Sequence, residues 1–409
     1  MKLRNKVKKW IKRSFKLFRV LTSKDQYFFY KGFKKFDLII YDDLFPHPIS
    51  GFRNEEFKEL LSKFINSKIL LQSSAYPIVN SLKSQHEDDI ADFKEHNKTL
   101  ENKLEIKRGF ININTKLFYC IFLNNIYENI DLLEDFKIPF VFTLYPGGGF
   151  KLNESLSDLK LRRVLSSLMF RGVIVTQNIT HDYLTLNKLC PTKDIHFIFG
   201  CVVPQISATN YLANKKYYLV DKPTFDICFC AAKYTEKGID KGYDVFIAFA
   251  HLICKEFDFV RFHIIGGFDE NDIDVSELQD KISFWGYQNF NSLGTIYKKM
   301  DAIVSPNVPF MLSKGAFDGF PLGTVIEAAL NGVVVLVTDE LKQNSVFCDG
   351  EDLIIIQNDV NSIAVEIRSL INSPQRLKDI ADAGRKKFME VYANDKQLSP
   401  RVDILKNMK

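Results

Sequence analysis

Two carboxylates and a glycine-punctuated loop between them are the residues here with the plainest chemical potential. They lie in residues 313–340, SKGAFDGFPLGTVIEAALNGVVVLVTDE. Asp318 sits in a loop broken by Gly319 and Pro321, and a short helix is expected from about Leu322 to Asn331. Gly332 stands where a left-handed C-cap is wanted. The run Val333 to Val337 is apolar without alternation, as a buried parallel strand requires. Gly319, Phe320, Leu322, Gly323 and Thr324 would therefore present free backbone amides at a helix start, where anions such as phosphate bind. Glu327 falls about one turn inside that helix. Amides for a diphosphate, with carboxylates on either side for sugar hydroxyls, describe a nucleotide-sugar site.

A strand–loop–helix unit of this kind needs others to complete a sheet, and the chain supplies them. From Phe36 to about Pro204, short apolar runs alternate with helical segments: strands are expected near 37–41, 68–72, 117–123, 138–144, 172–176 and 195–199. Residues 82–104 read as one long exposed helix. A polar stretch, 206–224, reads as a linker, and a second alternating region follows over 225–390. Alternation of this kind implies doubly wound parallel sheets with ligands at the carboxyl ends of the strands. Asp244 is placed to cap a helix over 244–256. Two loops of the first region also fall at strand ends: 42–53, with Asp43 and Arg53, and 145–150, with Tyr145 and three glycines including Gly148. No GxGxxG or Walker-type phosphate loop occurs anywhere.

The stretch from Asp318 to Asp339 resembles the signature of the retaining, nucleotide-sugar-dependent glycosyltransferases of the GT-B fold, in particular glycosyltransferase family 4. The resemblance is strongest over about 225–390 and weaker before it. It implies an α/β chain of two Rossmann-like doubly wound domains facing across a cleft. Residues 25–205 would form the acceptor domain, 225–390 the donor domain, and 391–409 a tail returning to the first. In that reading Asp318 orients the donor sugar and Glu327 accepts hydrogen bonds from the ribose. Between these acids there is one residue more than the family usually has. Family members also place a cation after the first strand of the second domain and a Lys-Gly-x-Asp at the next helix. Lys233 takes the first place. Both Lys237 and Lys241 match the second, and Lys241 is preferred because Asp244 leads directly into the apolar run 245–250.

The reaction implied is transfer of a hexose from a UDP- or GDP-linked donor to an acceptor hydroxyl, with retention and without a covalent nucleophile or metal. Lys233, Lys241 and the amides near Phe320 to Gly323 would stabilise charge on the leaving diphosphate. Asp43, Arg53, Tyr145 and Gly148 are the acceptor-side candidates. The acidic run Asp269 to Asp274 reads as a solvated turn rather than a metal site. A nucleotide-sugar epimerase of the same architecture, or a non-catalytic membrane-associated scaffold, would share the fold; product analysis without acceptor and nucleotide binding respectively separate them.

Composition bounds the rest. At 409 residues with 46% hydrophobic and 26% charged content, the chain suits two globular domains. Seven scattered cysteines lack paired metal spacing and fit a reduced compartment. The formal charge of +5 is misleading, because residues 1–24 hold ten Lys and Arg and no acid. The remainder is net acidic, which gives no reason to expect a nucleic-acid partner. Within 1–24, Leu3, Val7, Trp10, Ile11, Phe15 and Phe18 share one helical face. That pattern predicts an interfacial helix on an anionic membrane, hence a peripheral protein on the cytoplasmic face. The acceptor would then be lipid-linked or a surface glycan such as lipopolysaccharide or capsule; the alternative is a helix packed on the body.

Overall fold

The computed structural model describes residues 26–204 and 215–408. Residues 1–24 lie outside the described residues. The first unit holds β1 (Tyr27–Tyr30), β2 (Phe36–Asp42), β3 (Ser67–Leu71), β4 (Leu104–Ile106), β5 (Gly109–Asn112), β6 (Thr115–Ile121), β7 (Phe140–Leu144), β8 (Phe170–Val175) and β9 (Ile195–Phe197). Its helices are α1 (Gly51–Lys63), α2 (Gln85–His96), α3 (Leu123–Asp135), α4 (Ser155–Leu165) and α5 (Asn178–Leu186). Seven strands form one parallel sheet in the order β4-β3-β2-β6-β7-β8-β9. Each central strand is buried on both faces, which is why β2, β6 and β7 read as continuous apolar runs.

The second unit repeats the plan with β10 (Phe225–Ala231), β11 (Val260–Gly266), β12 (Ile282–Phe284), β13 (Ala302–Ser305), β14 (Val334–Val337) and β15 (Ile354–Ile355). The strand order is β12-β11-β10-β13-β14-β15, all parallel. Helices α6 (Tyr243–Cys254), α7 (Phe290–Tyr297), α8 (Gly323–Leu330), α9 (Val360–Asn372), α10 (Pro374–Val391) and α11 (Asn394–Asn407) follow its strands. Strand order reverses between β2 and β6 in one sheet and between β10 and β13 in the other. The loops leaving those four strands are thus the ones a doubly wound sheet offers to ligands.

Several expectations need correction. The stretch 82–104 is not one helix: α2 stops at His96, where Asn97 turns its Nδ2 back onto the Phe93 carbonyl (2.9 Å), and a 3₁₀ turn then buries Leu100. Residues 215–224 are not a free linker. Lys215 donates to the Tyr297 and Met300 carbonyls, Tyr218 N to Asp301, and Lys222 bridges Asp226 and Asp301, so this segment is part of the second unit. Burial of the Lys215 ammonium lowers its pKa to about 7. Asp244 lies in the first turn of α6 and Gly242 is the cap, without a side-chain cap bond.

A two-stranded parallel ribbon, β1 with β5, was not expected. Tyr27 and Phe29 pack onto the first unit's core, on the face that α3 and α4 also cover, while Phe28 and Tyr30 alternate outward. Four aromatics in a row conceal that alternation in the sequence.

The tail forms α11 and packs on the first unit. Arg401, fully buried, stands 3.7 Å (Nε) from Glu56 Oε2 and donates through Nη2 to Tyr145 Oη (3.2 Å). Gln397 donates to the Phe199 carbonyl (2.8 Å). Tyr119 and Tyr145 both donate to Glu56, so the buried carboxylate has several partners, and the guanidinium is engaged through Nη1 and Nη2 while its Nε makes no hydrogen bond among the described residues.

Candidate active site

The loop after β10 turns twice through left-handed backbone. Gly238 (φ +58) is tucked against Phe268 and Tyr243, and Gly242 (φ +68) passes so close to the Pro306 carbonyl that a Cβ would stand 2.1 Å from its oxygen. This path leaves Lys237 exposed and sends Lys241 inward, with only 6% of its side chain exposed. The Lys241 ammonium meets Asp318 Oδ2 at 2.5 Å and lies 5.4 Å over the Tyr234 ring. Burial works against its charge, but Asp318, and Asp240 behind it, hold the Lys241 pKa above its ordinary value.

Asp318 is fixed from several sides. Asn307 Nδ2 donates to the same Oδ2 (3.0 Å), and Gln343 Nε2 donates to the Asp318 carbonyl (3.1 Å). The segment carrying it is also stitched to the other unit. Leu152 N donates to the Gly315 carbonyl (2.8 Å), and Gly315 lies so near Leu152 that no side chain would fit. Phe317 buries its ring in the first unit's core, 5.7 Å from Phe150. Gln177 Nε2 reaches the Phe320 carbonyl (3.4 Å) and faces Gly319, where a Cβ would meet it at 3.1 Å.

Helix α8 then begins, with Leu322 as its cap residue and no side-chain cap on its first amides. Gly323 and Thr324 open the helix, and Thr324 Oγ1 donates to the Cys230 carbonyl (3.0 Å). Glu327 lines the cleft from the next turn. Its Oε2 is buried with no hydrogen-bond partner, and burial alone raises its carboxyl pKa to about 8. A buried acceptor left unsatisfied is costly, and a hydroxyl donor from a ligand would relieve it.

These groups face a cavity of about 350 Å³ between the two units, bounded by Lys241, Asp318, Gly323 and Glu327 on one side and by Tyr145, Gln177 and Phe122 on the other. A second cavity of about 430 Å³ adjoins it and shares Glu327, Thr324, Phe52 and Phe122. Tyr287 and Gln288 stand on the wall that the second unit supplies, Asp43, Arg53 and Asn125 on the opposite one. Arg53 lies near Asp42 (3.3 Å) and Asp43 (3.6 Å) and stacks its guanidinium 4.9 Å over the Phe122 ring. Burial raises the Asp42 carboxyl to about 6, although Arg53 pulls it down. Tyr145 reaches the cavity with its ring, its hydroxyl being engaged by Glu56 and Arg401 behind the wall. Gly148 (φ +54) lets the triple-glycine turn close onto Phe122, where any Cβ would clash at 2.3 Å. Gly148 and Gly149 therefore serve close packing, on Phe122 and on Asn124 at the start of α3, whereas Gly147 has open space beside it.

Of the residues singled out from the sequence, Asp318, Lys241, Glu327, Gly319, Leu322, Gly323 and Thr324 come together around one cavity, and Asp43, Arg53 and Gly148 line the second. Phe320 turns its ring into the second unit's core and offers its carbonyl to Gln177. Lys233 is not brought in: it bonds Asp272, and neither cavity is lined by it. Asp272 consequently belongs to an ion pair rather than to a wholly solvated turn. Sequence reasoning missed Asn307, Tyr234, Gln177 and Phe122. Tyr234 was within reach, as an aromatic between two scrutinised lysines; the others become visible only when the strand ends meet. Among the described residues no group of three or more His, Cys, Asp or Glu is arranged to hold a metal ion, and no helix is long and apolar enough to cross a membrane.

Sucrose-phosphate synthase from Thermosynechococcus elongatus superposes with a TM-score of 0.63 at 12% identity, over 91% of this chain and 99% of that one. Anabaena Alr3699/HepE, solved in complex with UDP and glucose, gives 0.60 at 12% identity, over 91% and 100%. A glycosyltransferase from Rickettsia africae gives 0.58 at 13% identity, over 92% and 99%. The chain has the GT-B fold. Residues 226–387 match the family model described as glycosyl transferases group 1. A sequence search of curated proteins gives no match. The GT-B cleft is thus the space in which Lys241, Asp318 and Glu327 converge.

Proposed function

We propose that this protein is a glycosyltransferase that moves a hexose from a nucleoside-diphosphate sugar to an acceptor hydroxyl, with retention at the anomeric carbon. The observation carrying this reading is the buried, unpartnered Glu327 carboxyl beside the open start of α8, facing Lys241 and Asp318 across one cavity. The α8 amides and the Lys241 ammonium take the diphosphate, and Glu327 takes the ribose hydroxyls. A uridine donor is favoured because Alr3699/HepE of the same fold is solved with UDP and glucose. Charge grows on the diphosphate as the glycosidic bond breaks, and a preplaced ammonium lowers the barrier by about 3 kcal/mol, roughly a hundredfold in rate. Before the donor arrives, Asp318 holds that ammonium charged and in place. The diphosphate then shares Lys241 with Asp318, whose other oxygen is free to orient the donor sugar.

Across the cleft, Asp43, Arg53, Asn125 and the aromatic wall of Phe52 and Phe122 form the acceptor side. Lys233 enters the donor site only if it leaves Asp272. Residues 1–24 place the enzyme on an anionic membrane surface, at its cytoplasmic face, and the acceptor is lipid-linked or a growing surface glycan. Calorimetric titration with UDP, GDP and their hexose conjugates, followed by analysis of turnover with and without acceptor, is the test. Conversion of the donor sugar without any acceptor makes the protein an epimerase instead, and binding of no nucleotide removes the enzymatic reading.

A further inference from the structure

Between the amphipathic segment 1–24 and the first strand of the main sheet lie residues 25–35, DQYFFYKGFKK, with three lysines and one acid, Asp25, at their start. The structure gives this segment an outward surface. The inward residues of the ribbon, Tyr27 and Phe29, belong to the core, and Ile111 beside them is buried. On the other side, Phe28 and Phe110 pair edge to face at 6.1 Å, and Phe110 remains 49% exposed. Tyr30 is 38% exposed, and Phe33, in the turn after β1, is bare to solvent. Lys31, Lys34 and Lys35 are exposed around Phe33, and no carboxylate is bonded to any of them among the described residues. The acid nearest in sequence, Asp37, is taken by Lys116 (2.8 Å).

We infer that the outer face of the β1–β5 ribbon and the turn 31–35 is a second membrane-contacting surface, built on the body of the protein and fitted to an anionic lipid bilayer. Aromatic rings at the tip with lysines at their base are the arrangement an interface requires: rings enter the headgroup boundary while ammonium groups remain with the lipid phosphates. Charge selects this occupant over the chain's own amphipathic segment. That segment carries ten cations in 24 residues, and docking it on three exposed lysines sets like charges together. An anionic leaflet is complementary to both. The ribbon begins at Tyr27, two residues after the segment, so the two surfaces are close along the chain and can engage one leaflet together. The choice of partner rests on the peripheral location proposed above; the ribbon's share in it is new.

The test is co-sedimentation of the full chain with vesicles of phosphatidylcholine alone and of phosphatidylcholine and phosphatidylglycerol in equal parts. Three variants are compared with wild type: Phe33→Ser/Phe110→Ser, Lys31→Gln/Lys34→Gln/Lys35→Gln, and Trp10→Ser/Phe15→Ser in the segment 1–24. Neutralising one lysine at an anionic surface weakens partition by up to about fivefold, so the triple change should weaken it by as much as about a hundredfold. The double phenylalanine change should cost about tenfold, with UDP binding unchanged in both. Partition of both ribbon variants equal to wild type, with loss only in the Trp10/Phe15 variant, overturns the ribbon surface and leaves the peripheral location standing. A wild-type chain that stays in the supernatant with the phosphatidylglycerol-containing vesicles overturns both.

Discussion

Replacing Glu327 by glutamine tests the donor site through the protein's own stability. Its carboxyl is held at about 8 against an ordinary 4.5, and burial is the whole cause. In the folded protein the group keeps a proton that the unfolded chain gives up once pH passes the ordinary carboxylate range. Stability is therefore greatest below that range, falls as pH rises towards about 8, and levels off beyond it. The full preference for the protonated form corresponds to about 5 kcal/mol. Integrated from about pH 6 to about pH 9, the loss is roughly 2–3 kcal/mol, and water reaching the open cleft reduces it. Glu327→Gln has no proton to lose at this site. Urea unfolding of wild type and variant at the two ends of the range should show wild type losing more stability than the variant, by about that amount. Ligand binding reports the same group from the other side. Ribose hydroxyls donating to the carboxylate stabilise its charged form, so UDP should bind wild type more tightly as pH rises to about 8 and release a proton on binding. The glutamine variant should bind UDP more weakly and without that pH dependence. Parallel stability curves for the two proteins, or UDP binding that ignores the substitution, would refute the assignment of Glu327 to the donor.

Lys241→Ala should weaken UDP binding by at least tenfold in calorimetry, while Lys237→Ala, on an exposed turn, should leave it unchanged; equal behaviour of the two sinks the reading of this loop. Lys233→Ala should have little effect on UDP affinity, since Asp272 already engages the ammonium, and a loss as large as that of Lys241→Ala would show that it moves into the cleft. Asp318→Asn should lower turnover more than it raises the donor KM, and full turnover removes the residue from the site. Arg401→Met should destabilise the fold by about 3–5 kcal/mol in chemical unfolding, because it strands the buried Glu56 charge. A loss below about 1 kcal/mol would mean that the Tyr119 and Tyr145 hydroxyls satisfy Glu56 without the guanidinium.

The fold was legible because parallel strands buried on both faces leave an unmistakable run, as in Val333 to Val337, and because loops at their ends carry glycines for close approach. Lys241 was separable from Lys237 by its distance to the apolar start of α6, a local rule. Lys233 was not legible, since its partner Asp272 lies 39 positions away and only the β10–β11 pairing brings the two together. The same is true of Asn307 and Gln177, whose roles depend on loops from different strands, and of Gln177 on the meeting of two units. The break after His96 turns on a single side chain, Asn97, that bonds back to its own helix. Periodicity has no means of registering such a bond. Residues 215–224 look like a linker because they are polar, yet their polar groups satisfy Asp301 and the end of α7.

The placement of Phe317 bears on how such a chain can be taken apart or recombined. Its ring belongs to the core of the unit that its own backbone does not belong to, one residue before Asp318. Cutting the chain between the two sheets would expose that ring to water, at about 1.5–3 kcal/mol, and open a hole beside Phe150. The second unit expressed alone should therefore be prone to association through this face. An exchange of the second unit with that of another protein of the same architecture must carry residues 315–317 and their receiving loop, 150–152, as one inheritance. A splice placed at the polar stretch before Phe225 separates them, and with them the acid from the geometry that holds it.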